Sequence, residues 1–214
     1  SELKFVKQIY VPPSGADESL CMGACYFLSK DNSKSLNNIY LGNDISAINF
    51  KDLNKIFNKN SFLIKKRFNH TEIAKLLKDG EIIAIARGRE EFGARALGNR
   101  SIIANPSIEN IVQKINESIK NRDFWMPFAM TILKEKHNTY LSNIKNIRSD
   151  FMTIGYNTIA KNLKNIRSAT HPYDKSVRPQ ILEKSFNKFF YSIINNFYKK
   201  TKIPAVLNTS LNLH

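Results

Sequence analysis

The sequence predicts a mixed α/β fold, a mixed sheet with flanking helices, and three segments carry that prediction. Residues 71–80 place Ile73, Leu76 and Leu77 on one helical face, and 185–199 do the same for Phe186, Phe189, Phe190, Ile193, Ile194 and Phe197. Between them, Glu81-Ile-Ile-Ala-Ile-Ala-Arg87 is an apolar run of strand length that follows its helix at once. No internal repeat, heptad or low-complexity tract points to another class.

From the N-terminus, residues 5–11 (Phe-Val-Lys-Gln-Ile-Tyr-Val) read as a short strand, and Pro12 to Asp17 as a loop. Asp17 suits an N-cap for a helix Glu18 to Leu28, with Leu20, Ala24 and Leu28 on one stripe. Cys21 and Cys25 are the only cysteines; four apart in that helix, they are expected in or near the core, with no disulfide framework or metal cluster. Residues 30–60 are polar, rich in Asn and Lys and weakly periodic, so a boundary is expected there, between units 1–45 and 46–214.

Thr71 is positioned to cap the next helix and Gly80 to stop it. Strand 81–87 runs into a loop, Gly88 to Ser101, that carries three of the eight glycines. Ser107 then caps a helix whose Ile108, Ile111, Val112, Ile115 and Ile119 form the buried face, leaving Asn116 and Lys120 one step round, along its edge. Trp125 is either core or a stacking wall for a base. The aromatic stripe of 185–199 reads as core, and Ile203 to Leu207 as a strand leading into Asn208-Thr209-Ser210-Leu211-Asn212.

Composition narrows the function classes. With 214 residues, 42% hydrophobic and 24% charged, the chain can bury a core, and collagen-like and disordered classes fall away. No apolar run approaches the roughly 20 residues of a membrane span, and Ser-Glu-Leu-Lys-Phe lacks the order of a secretory signal, so a cytoplasmic location is expected. The 33 Lys and Arg against 18 Asp and Glu give +15, a charge that attracts phosphate on nucleic acid, nucleotide or membrane. Isolated lysines among 25 asparagines are also what an AT-rich codon bias produces.

Chemistry concentrates in the Gly88–Ser101 loop. Arg87, Arg89, Arg95 and Arg100 stand among small residues directly after a strand, and a planar, permanently charged guanidinium suits phosphate. Glycines 88, 93 and 98 let the backbone approach a ligand. The alternative is a solvated basic loop at a sheet edge. Neither a G-x-x-x-x-G-K-[ST] loop, a G-x-G-x-x-G turn nor a kinase signature occurs.

The stretch Gly88-Arg-Glu-Glu-Phe-Gly-Ala-Arg-Ala-Leu-Gly-Asn-Arg-Ser-Ile102 resembles the G-R-x-E-F-G-P-R-A-L-G-N-R-S-I signature of the O-carbamoyltransferases of nodulation-factor, cephamycin and aminoglycoside biosynthesis. Ile119-Lys-Asn-Arg-Asp123 is similar to that family's I-K-x-R-E, Pro127-Phe-Ala129 to its P-F-A, and Leu207-Asn-Thr-Ser-Leu-Asn212 to its L-N-T-S-F-N. Thr170-His171, Arg178 and Gln180 match its T-H-x-D-G-T-x-R-x-Q. Order and spacing agree from about residue 60 to the end.

The resemblance implies a YrdC-like domain over 46–214, truncated at its end near His214, preceded in 1–45 by a remnant of an actin and sugar-kinase-like domain. It implies a carbamoyl adenylate made from carbamoyl phosphate and ATP, for O-carbamoylation of a small-molecule hydroxyl. Lys120, Arg95 and Arg178 would form the catalytic clamp, with Arg89, Arg100, Asn116, His171, Asn208 and Ser210 binding the nucleotide. Asp17 would belong to the first domain's site, the only place where a divalent metal or iron is expected. Partners would be the nucleotide, the small-molecule substrate, the missing first domain and a possible second copy, with no membrane and no nucleic acid.

Other readings stand beside these. Arg89 and Arg100 could brace the loop against Glu90 or Glu91, and His171 could be a satisfied loop histidine. A basic RNA-binding module of the same fold and a non-catalytic scaffold are the rival functions. Ala94 and Met130 replace usual prolines, Met126 a usual arginine and Lys202 a usual glycine, and Pro172 to Val177 depart from V-D-G-T-x.

Overall fold

A computed structural model describes residues 3–7, 9–29, 34, 36, 38–45, 68–123 and 125–213. Strands β2 (Ile83–Ala86), β4 (Arg100–Ala104), β5 (Ala129–Leu133), β6 (Pro179–Leu182) and β7 (Ala205–Ser210) form one sheet in the order β2-β4-β7-β5-β6. All neighbours are antiparallel except β5 and β6. A separate ribbon pairs β1 (Tyr40–Asp44) with β3 (Arg89–Glu91).

The sheet is covered on both faces because its residues alternate. Met130, Ile132, Ile181, Ala205 and Leu207 face α3 (Ile111–Ile115), burying Ile111 and Ile115. Ile85, Ile103, Leu133, Leu182 and Val206 face α2 (His70–Asp79) and α4 (Lys188–Thr201). There Phe190, Ile193, Ile194 and Phe197 are fully buried, as the aromatic stripe requires, while Phe186 and Phe189 lie at the margin. None of the helices among the described residues is long and apolar enough to cross a membrane.

Several expectations change. Asn69, not Thr71, caps α2: its carboxamide oxygen accepts from the amides of Thr71 and Glu72, and the Glu72 carboxylate returns to the Asn69 amide. Ser107 caps no helix; its hydroxyl donates to Asn105 and α3 starts at Ile111. The described residues of 5–11 form no strand; the Leu3 and Val6 carbonyls accept from the Lys145 ammonium instead of from a ladder. Helix α1 (Glu18–Ser29) exists but buries nothing, so Leu20 and Leu28 are exposed and Cys21 and Cys25 are exposed free thiols. Asp17 gives α1 only its carbonyl, to the Leu20 amide, and makes no side-chain cap bond among the described residues. Trp125 is exposed, not core.

The connection expected over 30–60 contains β1, and the boundary at 45/46 falls where 46–67 lie outside the described residues, as do His214 and Gln8. β1 pairs with β3, so Tyr40–Asp44 lean on the unit that follows.

Two backbone positions give tests. Gly98 has φ +108, and a Cβ there would collide with the Phe190 ring. Gly98→Ala is expected to cost more than about 2 kcal/mol in chemical denaturation, combining strain with overpacking; a neutral result would mean the loop does not pack on α4. Lys202 caps α4 with φ 63, the left-handed conformation that glycine adopts without a side-chain penalty. Lys202→Gly should therefore stabilise by roughly 0.5–1 kcal/mol, read by thermal and urea denaturation; destabilisation would show that the lysine side chain has a packing role.

Candidate functional site

One end of the sheet gathers the candidate residues, and the register explains why. Ser101 pairs with Ser210, Ala129 with Asn208, and Met130 with Pro179. The starts of β4, β5 and β6 and the finish of β7 thus share one end. The loop carrying Arg95 leads into β4, the segment carrying Lys120 and Arg122 leads into β5, and Arg178 immediately precedes β6. Asn208 and Ser210 lie in the second half of β7.

Lys120 is the most constrained. A π-helical turn, Asn116–Lys120, follows α3, and its extra residue moves the buried face from Ile115 to Lys120, leaving Ile119 half-buried. The side chain expected along the helix edge is therefore fully buried. Its ammonium donates to the Ser210 carbonyl at 2.5 Å, to Ser210 Oγ at 3.3 Å and to Asn212 Oδ1. These are neutral acceptors. Burial, helped by the neighbouring Arg122 guanidinium, pulls its pKa from 10.5 down to about 8.

Three guanidiniums stand nearby. Arg95 and Arg122 are both held below the ordinary arginine range, first by desolvation and then by like charge: Arg178 acts on both, and Arg122 on Arg95. Arg122 also lies over the Phe128 ring, 5.3 Å from its centroid. Among the described residues none of Arg95, Arg122 and Arg178 is paired with a carboxylate. Beside them a cavity of about 390 Å³ is lined by Arg95, Ala96, Ser210 and Asn212.

The Arg95 loop is fixed from two sides. Glu91 Oε1 accepts from the backbone amides of Leu97 (2.8 Å), Asn99 (2.7 Å) and Arg100 (3.2 Å). Asn208 Nδ2 donates to the Ala96 carbonyl at 3.0 Å and to Thr131 Oγ1 at 2.9 Å, and Thr131 donates on to Gln180 Oε1. Buried Asn208 Oδ1, Asn116 Oδ1 and Gln180 Nε2 have no hydrogen-bond partner among the described residues.

Arg89 and Arg100 give their donors to backbone carbonyls. Arg89 donates to the Leu41 and Gly42 carbonyls of β1, and Arg100 to the carbonyls of Asn43, Arg87, Gly88 and Asn99, with Glu90 3.4 Å away. Their donors brace the loop. His171 sits in a turn where its Nδ1 accepts from the Tyr173 and Asp174 amides, beside Arg178. Asp17 is distant in sequence, just before α1, and among the described residues no three His, Cys, Asp or Glu side chains come together as a metal site. Arg122 and Asn212 were passed over as candidates although both stand inside the matched motifs; Asn121, with φ 46, turns the chain between Lys120 and Arg122.

The family model described as carbamoyltransferase C-terminus matches residues 74–214. An uncharacterized protein of Methanocaldococcus jannaschii is 39% identical over 211 residues, 96% of this chain and 40% of that protein. Nodulation protein NolNO of Sinorhizobium fredii is 29% identical over 214 residues, covering 96% of this chain and 31% of its own length. Nodulation protein NolO of Bradyrhizobium diazoefficiens is 28% identical over 211 residues, 95% and 38% respectively. The chain spans less than half the length of these relatives.

The buried ammonium sets a pH dependence. Between its folded pKa of about 8 and the ordinary 10.5, the unfolded chain holds one proton more, so this group adds stability as pH rises through that window. Wild-type stability relative to Lys120→Met should grow from about pH 7 to about pH 10 in urea denaturation. A difference independent of pH would show that Lys120 is solvated.

Proposed function

The chain belongs to the carbamoyltransferase C-terminus family, and from that premise we propose that it binds ATP and carbamoyl phosphate at the cation-lined end of the sheet and forms a carbamoyl adenylate. The observation that carries this reading is the convergence of Arg95, Lys120, Arg122 and Arg178 without a paired carboxylate among the described residues. Four like charges on three chain segments repel one another in a partly desolvated site. A triphosphate offsets that repulsion, and a neutral ligand cannot.

The chemistry balances in two steps. Water releases carbamate from carbamoyl phosphate with loss of inorganic phosphate. A carbamate oxygen then attacks the α-phosphorus of ATP while the bond from that phosphorus to the bridging oxygen breaks and pyrophosphate departs. Little covalent work falls to side chains, so positioning and charge stabilisation dominate. Arg95, Arg122 and Arg178 clamp phosphate oxygens with planar, permanent charges. Lys120, a compact charge, follows the negative charge that builds on the departing pyrophosphate. Ser210 and Asn212 aim the ammonium, Asn208 and Asn116 offer neutral hydrogen bonds, and Arg89 and Arg100 keep the loop in shape. His171 flanks Arg178.

In this reading the rest of a longer protein accepts the carbamoyl group and transfers it to a hydroxyl, in a domain to which α1 and Asp17 would belong and which would hold any metal. The YrdC-like architecture and a cytoplasmic location are part of the same proposal.

Carbamoyl-phosphate-dependent release of pyrophosphate from ATP tests it. Lys120→Met should slow release on the order of 100-fold with the circular dichroism spectrum unchanged. Wild-type rates in that variant would remove Lys120 from the mechanism, and release that needs no carbamoyl phosphate would replace adenylate formation with simple hydrolysis.

A further inference from the structure

A chain of hydrogen bonds runs from β1 to the start of α4. The Tyr40 hydroxyl donates to the Leu97 carbonyl at 2.9 Å and accepts from Asn187 Nδ2 at 2.9 Å. Asn187 Nδ2 also donates to Asn99 Oδ1 at 3.2 Å, and Asn99 Nδ2 donates on to the Arg89 carbonyl at 2.8 Å. Each carboxamide has one orientation open to it. Asn187 Oδ1 takes the Phe190 amide as the cap of α4, which leaves Nδ2 to face Tyr40 and Asn99. Leu97, Asn99 and Asn187 are buried, so leaving one of these groups unpaired is costly. Burial also pushes the Tyr40 phenol above its ordinary pKa, so it keeps the proton that Leu97 accepts. The Tyr40 ring packs against Phe186, with centroids 5.6 Å apart.

We propose that Tyr40 and Asn187 are positioning residues for the phosphates: by holding Leu97 and Asn99 they set where Arg95 meets the phosphate oxygens. The inference rests on the reading of the cation cluster as a triphosphate site. Arg95 makes no side-chain hydrogen bond among the described residues, so its guanidinium goes where the loop puts it. Glu91 and Asn208 do not make the network redundant. They hold the amides of Leu97, Asn99 and Arg100 and the Ala96 carbonyl, and they leave the Leu97 carbonyl and the Asn99 side chain to Tyr40 and Asn187. Asn187 acts on the loop from below as well, since its cap seats Phe190, on which Gly98 rests. Arg122 and Arg178 arrive on the segments before β5 and β6, none of whose residues belongs to this chain of bonds. Tyr40 lies outside residues 74–214, the region the family model matches, so one support of the site comes from the preceding stretch.

Two variants separate positioning from general stability. Tyr40→Phe removes the hydroxyl and keeps the ring on Phe186, whereas Asn187→Ser keeps a capping oxygen for α4 and removes the Nδ2 donor. The probe is inorganic pyrophosphate, titrated calorimetrically into the chain at low ionic strength. Each variant should weaken pyrophosphate binding about fivefold, the scale of one hydrogen bond, with the circular dichroism spectrum unchanged. The effect should vanish when either change is combined with Arg95→Ala and persist in full with Arg178→Ala, a pattern that a general loosening of the fold does not produce. If one variant fails to fold, the other carries the cycle. Wild-type affinity in a folded variant, or an equal loss in the Arg95→Ala background, would overturn the positioning role. Failure of wild type to bind pyrophosphate would overturn the triphosphate reading and the positioning role with it.

Discussion

An ammonium removed from water needs its three protons accepted, and in this fold the acceptors for Lys120 all come from the end of β7. That contact ties the α3 segment to the centre of the sheet across a sequence separation of about ninety residues. It also decides where the neighbouring charges go. The chain leaves Lys120 through a left-handed Asn121, so Arg122 emerges beside the same spot, and β5 begins a few residues on. Because the acceptors are neutral, the positive charge is solvated by hydrogen bonds but not cancelled. The lowered pKa is the signature of that imbalance.

The sheet then supplies the remaining cations by topology. With β7 between β4 and β5, and β6 beyond, three chain segments arrive at one sheet end, each delivering an arginine. Glu91 and Asn208 clamp the first of these segments, so Arg95 is held by hydrogen bonds to the backbone of the residues that directly follow it. Helices on both faces bury the sheet and keep these ends in fixed register. The site's rigidity is thus a property of the core, and its chemistry a property of what the loops carry.

Much of this was legible in the sequence. The 3.6 period located α2 and α4, and apolar runs of strand length located β2 and β7. The motif cations Arg95, Lys120 and Arg178 were legible too, and they do come together. What spacing could not reveal was nonlocal. A π turn shifts the helix face by one residue, so the lysine takes the place expected for Ile119. Whether an arginine reaches a ligand or a carbonyl depends on strands that meet only in three dimensions, which is why Arg89 and Arg100 brace β1 while Arg122 joins the cluster. The stripe Leu20, Ala24, Leu28 lies on α1 as its spacing predicts but is exposed, because periodicity cannot say whether the partner of a face lies in the same stretch of chain.

The central claim, that unpaired cations at one sheet end form a polyphosphate site while the other loop arginines are structural, is most directly tested by the arginine side-chain Nε–Hε resonances during titration with inorganic pyrophosphate. Arg95, Arg122 and Arg178 should shift together and saturate at one affinity, while Arg89 and Arg100, already donating to carbonyls, should stay in place. Shifts spread evenly over all arginines, or largest at Arg89 and Arg100, would contradict the account.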